Sequence, residues 1–267
     1  MVDSLLSLHF LATGSGGNSL GSSSAVLERD GNPLLLIDCG AGTLQRYARR
    51  YGPALPASIY ITHLHYDHIG DLESLFYKKA FSERAADPVR IYCSAWLVPQ
   101  LSQRLADYPG VVAEGGRNFW QELQLIPVVN GFWLQDYYFH VYPVRHHAPN
   151  SAFALHLPGR FFYSGDTRPV PELIHHRCAN GEQLFHDACW AGNPSHSGVD
   201  DLRREYRQEV LQRMWLYHYG GHEERELMES AGFRVVCPGQ TVALQDPPER
   251  LDSIPGFIVE EMPKIVA

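Results

Sequence analysis

The sequence has no apolar run approaching the ~18 residues of a membrane-spanning helix, and no lysine-rich tract. The first absence removes the membrane as an expected partner. The second, with a formal net charge of -8, argues against nucleic-acid backbone as the main partner. A local basic groove stays compatible with that balance. Disulfide chemistry is also missing. The five cysteines, Cys39, Cys93, Cys178, Cys189 and Cys237, are odd in number and contain no CxxC pair. A reducing, cytoplasmic setting is the simpler expectation. Met1 to Ala12 is apolar but carries Asp3 and no basic lead, which makes it a poor signal peptide. Repeats, low-complexity tracts and long linkers are absent too. The expectation is therefore one continuous domain over residues 1–267, large enough to bury a full core.

Histidine, by contrast, is abundant, with 14 copies. Three of them and an aspartate fall in Thr62-His63-Leu64-His65-Tyr66-Asp67-His68. Before this stretch, Ser58-Ile59-Tyr60-Ile61 reads as a buried strand. After it, Asp71 to Tyr77 reads as an amphipathic helix, so the cluster lies on a strand-to-helix loop. Alternate side chains at a strand end point the same way. His63 and His65 can thus share one ion, while Asp67 and His68 face a second. A lone histidine is usually an ordinary surface or core residue. The pattern HxHxDH is different, because metal chemistry explains every member.

Leu6 to Ala12 reads as a first strand. The glycine-rich Thr13 to Ser19 follows, read as a tight turn because no P-loop lysine accompanies it. Strands Ser24 to Arg29 and Leu34 to Ile37 are joined at Asp30-Gly31-Asn32. Asp38 then either orients a ligand histidine or serves as a turn or helix-capping residue. Thr43 to Tyr51 has a helical pattern. Further strands are expected at Val89 to Cys93, Gln121 to Val129, Tyr137 to Val144, Ser151 to Leu157, Arg160 to Ser164 and Gln183 to Phe185. Helices are expected at Ala95 to Ala106, Pro171 to Arg177, Asp200 to Met214 and Glu223 to Ala231. His146 and His147 end one strand, and the residues alone do not choose between them as a ligand. Asp166 ends another strand, where its two oxygens can bridge two cations. His218, closing the last core strand, is placed as the final ligand, and His222 more naturally opens a helix. The acidic, proline-bearing tail 247–267 is expected to pack on the core, lid the site or meet a second subunit as a homodimer.

Taken together, these segments resemble a metallo-β-lactamase-fold hydrolase, and within it the ribonuclease Z branch. The matching pieces are Leu36 to Thr43, His63 to His68, His146 to Pro149, Tyr163 to Pro169, His186-Asp187-Ala188, His196-Ser197 and Leu216-Tyr217-His218. The resemblance implies a four-layer α/β/β/α sandwich with two zinc ions at one end of the paired sheets. It implies His63, His65 and His146 on one zinc, Asp67, His68 and His218 on the other, and Asp166 between them. It selects His146 over His147, and gives His196 a role at the scissile phosphate. The same ligands would take manganese or iron. The chain departs from the branch in three ways. Asp166 follows His146 by only 20 residues (166 − 146), leaving no room there for a tRNA-gripping arm. Asp187 stands where the branch usually has Glu, and Tyr219-Gly220-Gly221 replaces its usual ending.

The leading expectation is a dinuclear zinc phosphodiesterase acting on a nucleotide-type or other small ester, with tRNA disfavoured. Two zincs would lower the pKa of a shared water to give the attacking hydroxide. Asp67 would accept a proton, and His196 would donate one to the leaving group. The competing expectations are a lactone or thioester hydrolase on the same metals, and a non-catalytic metal-binding sensor. A diiron oxidoreductase ranks below both, since such members usually carry Glu at the position of His65.

Overall fold

Ser58–Ile61 is buried at every position, as a strand covered on both faces must be. It lies near the middle of the first of two mixed sheets. The computed structural model describes residues 5–81, 87–105, 118–178 and 181–245. The tail 247–267 lies outside the described residues. The first sheet takes, in chain order, β1 (Leu6–Ala12), β2 (Ser24–Arg29), β3 (Asn32–Ile37), β4 (Ser58–Ile61), β5 (Val89–Ser94) and β6 (Leu123–Val128). The second takes β7 (Gly131–Leu134), β8 (Tyr137–Pro143), β9 (Phe153–Leu157), β10 (Phe161–Tyr163), β11 (Gln183–Asp187), β12 (Met214–Tyr217) and β13 (Arg234–Val235). A last strand, β14 (Thr241–Ala243), returns to pair with β1.

Side-chain alternation along the strands makes the layers. Tyr60 of β4 joins Leu8, Phe10, Phe139, Phe161 and Phe185 in a core shared by the two sheets. Ile59 and Ile61 turn the other way, onto α1 (Thr43–Tyr51), α2 (Tyr66–Ile69), α3 (Leu72–Ala80), α4 (Val98–Leu105) and α5 (Phe119–Glu122). A third cluster packs the second sheet against α6 (Pro171–Arg177), α7 (Val199–Glu205), α8 (Gln208–Leu211) and α9 (His222–Ser230). The result is the four-layer α/β/β/α metallo-β-lactamase sandwich. Among the described residues no helix is long and apolar enough to cross a membrane.

Strand direction places the site. β3 to β6 are mutually parallel, as are β10 to β13. β8 and β10 are each antiparallel to β9, so they share a direction. The loops after β8, β10, β11 and β12 therefore emerge on one edge, where open α/β sheets place their sites. At that edge the two sheets are tied together. Phe153 N donates to Thr62 O at 3.0 Å, and His218 N to Thr13 O at 2.8 Å.

Several elements differ from expectation, among them the short β13 and β14, which follow the strand expected to be the last. The helix expected over Asp200 to Met214 is two short helices. Tyr206 is extended (φ -111°, ψ 142°). Its hydroxyl turns inward, accepting from Val170 N at 2.7 Å and meeting His186 Nε2 at 2.8 Å. Gln121 begins no strand, because Asn118 and Gln121 form a reciprocal capping box that starts α5. The four-residue β7 was not expected, since Gly131-Phe132-Trp133-Leu134 is too short to show its alternation against the loop before it. Tyr206→Phe should strand buried polar partners and destabilise the fold by about 1–3 kcal/mol in denaturant unfolding. An unchanged midpoint would mean that the break in this helix has another origin.

Candidate metal centre

Each of the loops named above delivers one or more polar side chains to the same pocket. The loop after β4 begins as an extension of the strand, with His63 bridged to Ala152, and then turns into α2 at His65. That turn carries Asp67 and His68 to the pocket. β8 brings His146, β10 brings Asp166, and β12 brings His218. The structure gathers His63, His65, His146 and Asp166 into one group, and Asp67, His68 and His218 into a second. Asp166 also groups with His196 and His218, and within each group the candidate ligand atoms lie within 4.8 Å of one another.

Asp166 is the pivot. Its Oδ2 lies 3.3 Å from both His68 Nε2 and His218 Nε2, 3.6 Å from His63 Nε2 and 3.9 Å from His146 Nε2. Asp67 Oδ2 lies 3.4 Å from His218 Nε2 and 3.6 Å from His68 Nε2. His65 Nδ1 sits 3.0 Å from His63 Nε2 and 3.2 Å from His146 Nε2. Donors on one tetrahedral zinc, at ~2.0–2.1 Å from the ion, stand about 3.4 Å apart. The observed spacings fit that shape. Two buried atoms of the clustered side chains, His68 Nε2 and Asp166 Oδ1, have no hydrogen-bond partner. Such atoms are costly unless something else satisfies them.

A ring of outer contacts aims the imidazoles. Asp38 Oδ2 accepts from His68 Nδ1 at 2.7 Å, and Asp38 Oδ1 accepts from Thr62 N at 2.8 Å. Asp38 thus orients a histidine, while the residue at the start of α1 is Gly42. Thr62 Oγ1 meets His63 Nδ1 at 3.0 Å, and Ser195 O accepts from His146 Nδ1 at 3.0 Å. Asp187 Oδ2 accepts from His196 Nδ1 at 2.9 Å, while its Oδ1 lies 3.4 Å from His218 Nδ1. These contacts leave Nε2 as the inward nitrogen of His63, His68, His146 and His218.

The electrostatics call for positive charge. Burial works to raise the Asp166 carboxyl, but His218 and His68 hold it well below the usual range. Burial lowers His68 and His218, yet the carboxylates around them win. His68 stays well above its ordinary value, and His218 is pushed up to about 10, chiefly by Asp166 and Asp187. Burial instead takes His146 down to about 4 and His63 well below its usual range. The donor set suits a divalent cation: several buried carboxylates, with imidazoles already aimed among them.

The structure thus brings together all eight residues singled out from the sequence, His196 among them. His147 stays at the rim, its ring 4.7 Å from that of His65 and its Nδ1 3.4 Å from Ser195 Oγ. His222 begins α9, as expected. The turn Thr13 to Ser19 is tight, and Gly16 N also donates to Asp67 Oδ2 at 3.0 Å. Asp187 and the Ser195 carbonyl were not anticipated as parts of the site. In the sequence Asp187 stood out only within the family match, two residues beyond the expected strand Gln183 to Phe185, whereas a backbone carbonyl carries no sequence signal. Replacing Asp38 by Asn should weaken divalent-metal retention by about 10–100-fold in a chelator competition. Unchanged retention would remove Asp38 from the support of the site.

The chain is 26% identical over 242 residues to the Anti-Pycsar protein Apyc1 of Paenibacillus harenae, covering 86% of this chain and 98% of that one. A ribonuclease Z of Mycolicibacterium paratuberculosis is 38% identical, but over 89 residues, or 32% of this chain and 31% of that enzyme. Among solved structures, the Bacillus subtilis metallo-β-lactamase-fold protein YhfI superposes with TM-score 0.66 at 13% identity, covering 89% of this chain and 99% of that one. A diphosphatase of the PhnP family gives TM-score 0.68 at 18% identity, over 91% and 100%. The sequence model of the family described as Anti-Pycsar protein Apyc1 matches residues 6–242, and the chain belongs to that family.

Proposed function

We propose that this protein is a dinuclear zinc phosphodiesterase whose substrate is a small nucleotide ester, with a cyclic nucleotide as the leading candidate. The observation that carries the proposal is the position of Asp166 Oδ2 between the two sets, 3.6 Å from His63 Nε2 and 3.3 Å from both His68 Nε2 and His218 Nε2, with His196 grouped beside it. His63, His65 and His146 would hold one ion, and Asp67, His68 and His218 the other. Asp166 would bridge them. Bound there, the ions would lower the pKa of a water toward ~7 and offset charge developing on the phosphoryl oxygens.

The chain's own residues account for the rest. Asp67, fixed by Gly16 N and close to His218, is placed to accept the proton released by the attacking water. Water adds to phosphorus, the bond to the ribose oxygen breaks, and that oxygen must take up a proton. His196 is the donor. Its Nδ1 is held by Asp187, which leaves Nε2 for the substrate. Burial lowers the His196 pKa, but the Asp187 hydrogen bond and the charges of Asp187 and Asp166 together outweigh it and leave the ring above its ordinary value. The Asp187 contact thus favours the protonated ring that a proton donor needs.

The fold and the charge support a small substrate. The interval from His146 to Asp166 is filled by the β9–β10 hairpin, with no inserted arm. The net charge of -8 opposes a long polyanion but tolerates a single phosphodiester. The Apyc1 likeness spans almost the whole relative, whereas the ribonuclease Z likeness is local.

The test is metal analysis coupled to a substrate panel of cyclic nucleotides, bis(p-nitrophenyl) phosphate, lactones and thioesters. We expect zinc-dependent turnover of the phosphodiesters. Turnover confined to lactones or thioesters would move the reaction to carboxyl esters. Two bound zincs with no turnover would favour a binding module. His65→Ala or Asp67→Ala should lose metal and activity together. His196→Ala should keep its metal and lose about 10²–10⁴-fold in kcat. Full activity in His196→Ala would remove that residue from the mechanism.

A further inference from the structure

We propose that Arg168 is the positioning residue for His196, and that it acts by clamping the backbone of the loop that carries it. The inference rests on the phosphodiesterase reading above, because it assigns Arg168 to the proton-donating half of that reaction. Arg168 lies two residues after Asp166, at the exit of β10. Its Nη1, with two N–H groups to share, lies within hydrogen-bond distance of three acceptors: Asn193 O at 2.9 Å, His196 O at 2.9 Å and Asp201 Oδ2 at 2.6 Å. The first two are backbone carbonyls of the irregular segment between β11 and α7, within which Asn193 N also donates to His196 O at 3.1 Å.

The rest of the segment is built around this contact. Asp201 Oδ2 also accepts from Gly198 N at 3.0 Å. A Cβ added at Gly192 would sit 2.3 Å from Asp201 Oδ2, and one added at Gly198 would sit 2.3 Å from Gly192 N. Only glycine lets the two ends of the loop close this tightly over the guanidinium. Within the loop, Asn193 Oδ1 accepts from Ser195 N at 2.8 Å and from His196 N at 3.0 Å. From the arc so fixed come the Ser195 carbonyl that aims His146 and the His196 ring that meets Asp187.

An ordinary surface ion pair contributes little. This one differs because the guanidinium also holds the carbonyl of the residue whose ring faces the pocket. A displacement near 1 Å at such a group is enough to cost roughly 10²-fold in rate. The segment 166–168 would then serve the reaction twice. Asp166 reaches into the metal cluster, and Arg168 sets the position of the proton donor opposite.

The test compares Arg168→Gln, Arg168→Lys and His196→Ala, each loaded with zinc, on two substrates. A cyclic nucleotide loses an alkoxide and needs the donated proton. Bis(p-nitrophenyl) phosphate loses p-nitrophenolate, which departs without one. For Arg168→Gln we expect kcat on the cyclic nucleotide to fall about 10–100-fold, with KM within about threefold and zinc content unchanged. On bis(p-nitrophenyl) phosphate the loss should stay within about threefold. Arg168→Lys should recover part of the loss, since an ammonium can still donate to more than one acceptor. The double variant Arg168→Gln with His196→Ala should be no slower than His196→Ala alone. Equal losses on both substrates, loss of zinc, or additive losses in the double variant would overturn the proposal. Amide hydrogen exchange gives a readout that needs no turnover. Residues 190–198 should exchange faster in Arg168→Gln while β11 is unchanged, and identical exchange would also overturn the clamp. If the wild-type protein hydrolyses neither phosphodiester, the functional reading fails, and exchange still decides whether Arg168 holds the loop.

Discussion

One buried carboxylate sets the terms for the whole pocket. Asp166 has almost no contact with water, and the Nε2 atoms of four imidazoles surround its Oδ2. An isolated carboxylate could not be ionised there at acceptable cost. Protons on His68 and His218 can supply the missing positive charge, and a divalent cation supplies more of it. Asp38, Asp67 and Asp187 add to the same demand from behind and beside the imidazoles. The arrangement reads as a cavity built for cations, because a core meant only for stability would not collect so many charged groups.

The backbone shows the same priority. Asp38, His147 and His218 are non-glycine residues at positive φ (62°, 55° and 69°). Each lies at or beside the pocket, where left-handed backbone is tolerated when surrounding contacts fix it. His218 has such contacts. Its amide donates to Thr13 O, its Nδ1 faces Asp187, and its ring stacks on His196 at 5.1 Å. The same hydrogen bond between Thr13 and His218 joins the two sheets. The stitching of the sandwich and the aiming of the ligand are therefore one feature.

Much of this was legible in the chain. HxHxDH after a buried four-residue strand located the centre, and the strand ends at His146, Asp166 and His218 completed it. Their convergence followed only through resemblance to a family, because separations of up to 155 residues (218 − 63) carry no local signal. Asp38 had two readings of equal weight. Only the structure, by pairing it with His68, chose between them. The Ser195 carbonyl could not have been read at all, since every residue has one. Tyr206 broke a continuous helical pattern because its hydroxyl reaches two tertiary partners, Val170 N and His186. Local periodicity cannot report such contacts.

The proposed function requires two metal ions side by side at Asp166. Zinc K-edge X-ray absorption on the purified, zinc-loaded protein tests it directly. The expected result is a first shell of nitrogen and oxygen at ~2.0–2.1 Å with no sulfur at ~2.3 Å, and a metal–metal distance of about 3.5–4 Å. A sulfur shell, or a spectrum with no metal–metal scattering at full loading, would contradict it.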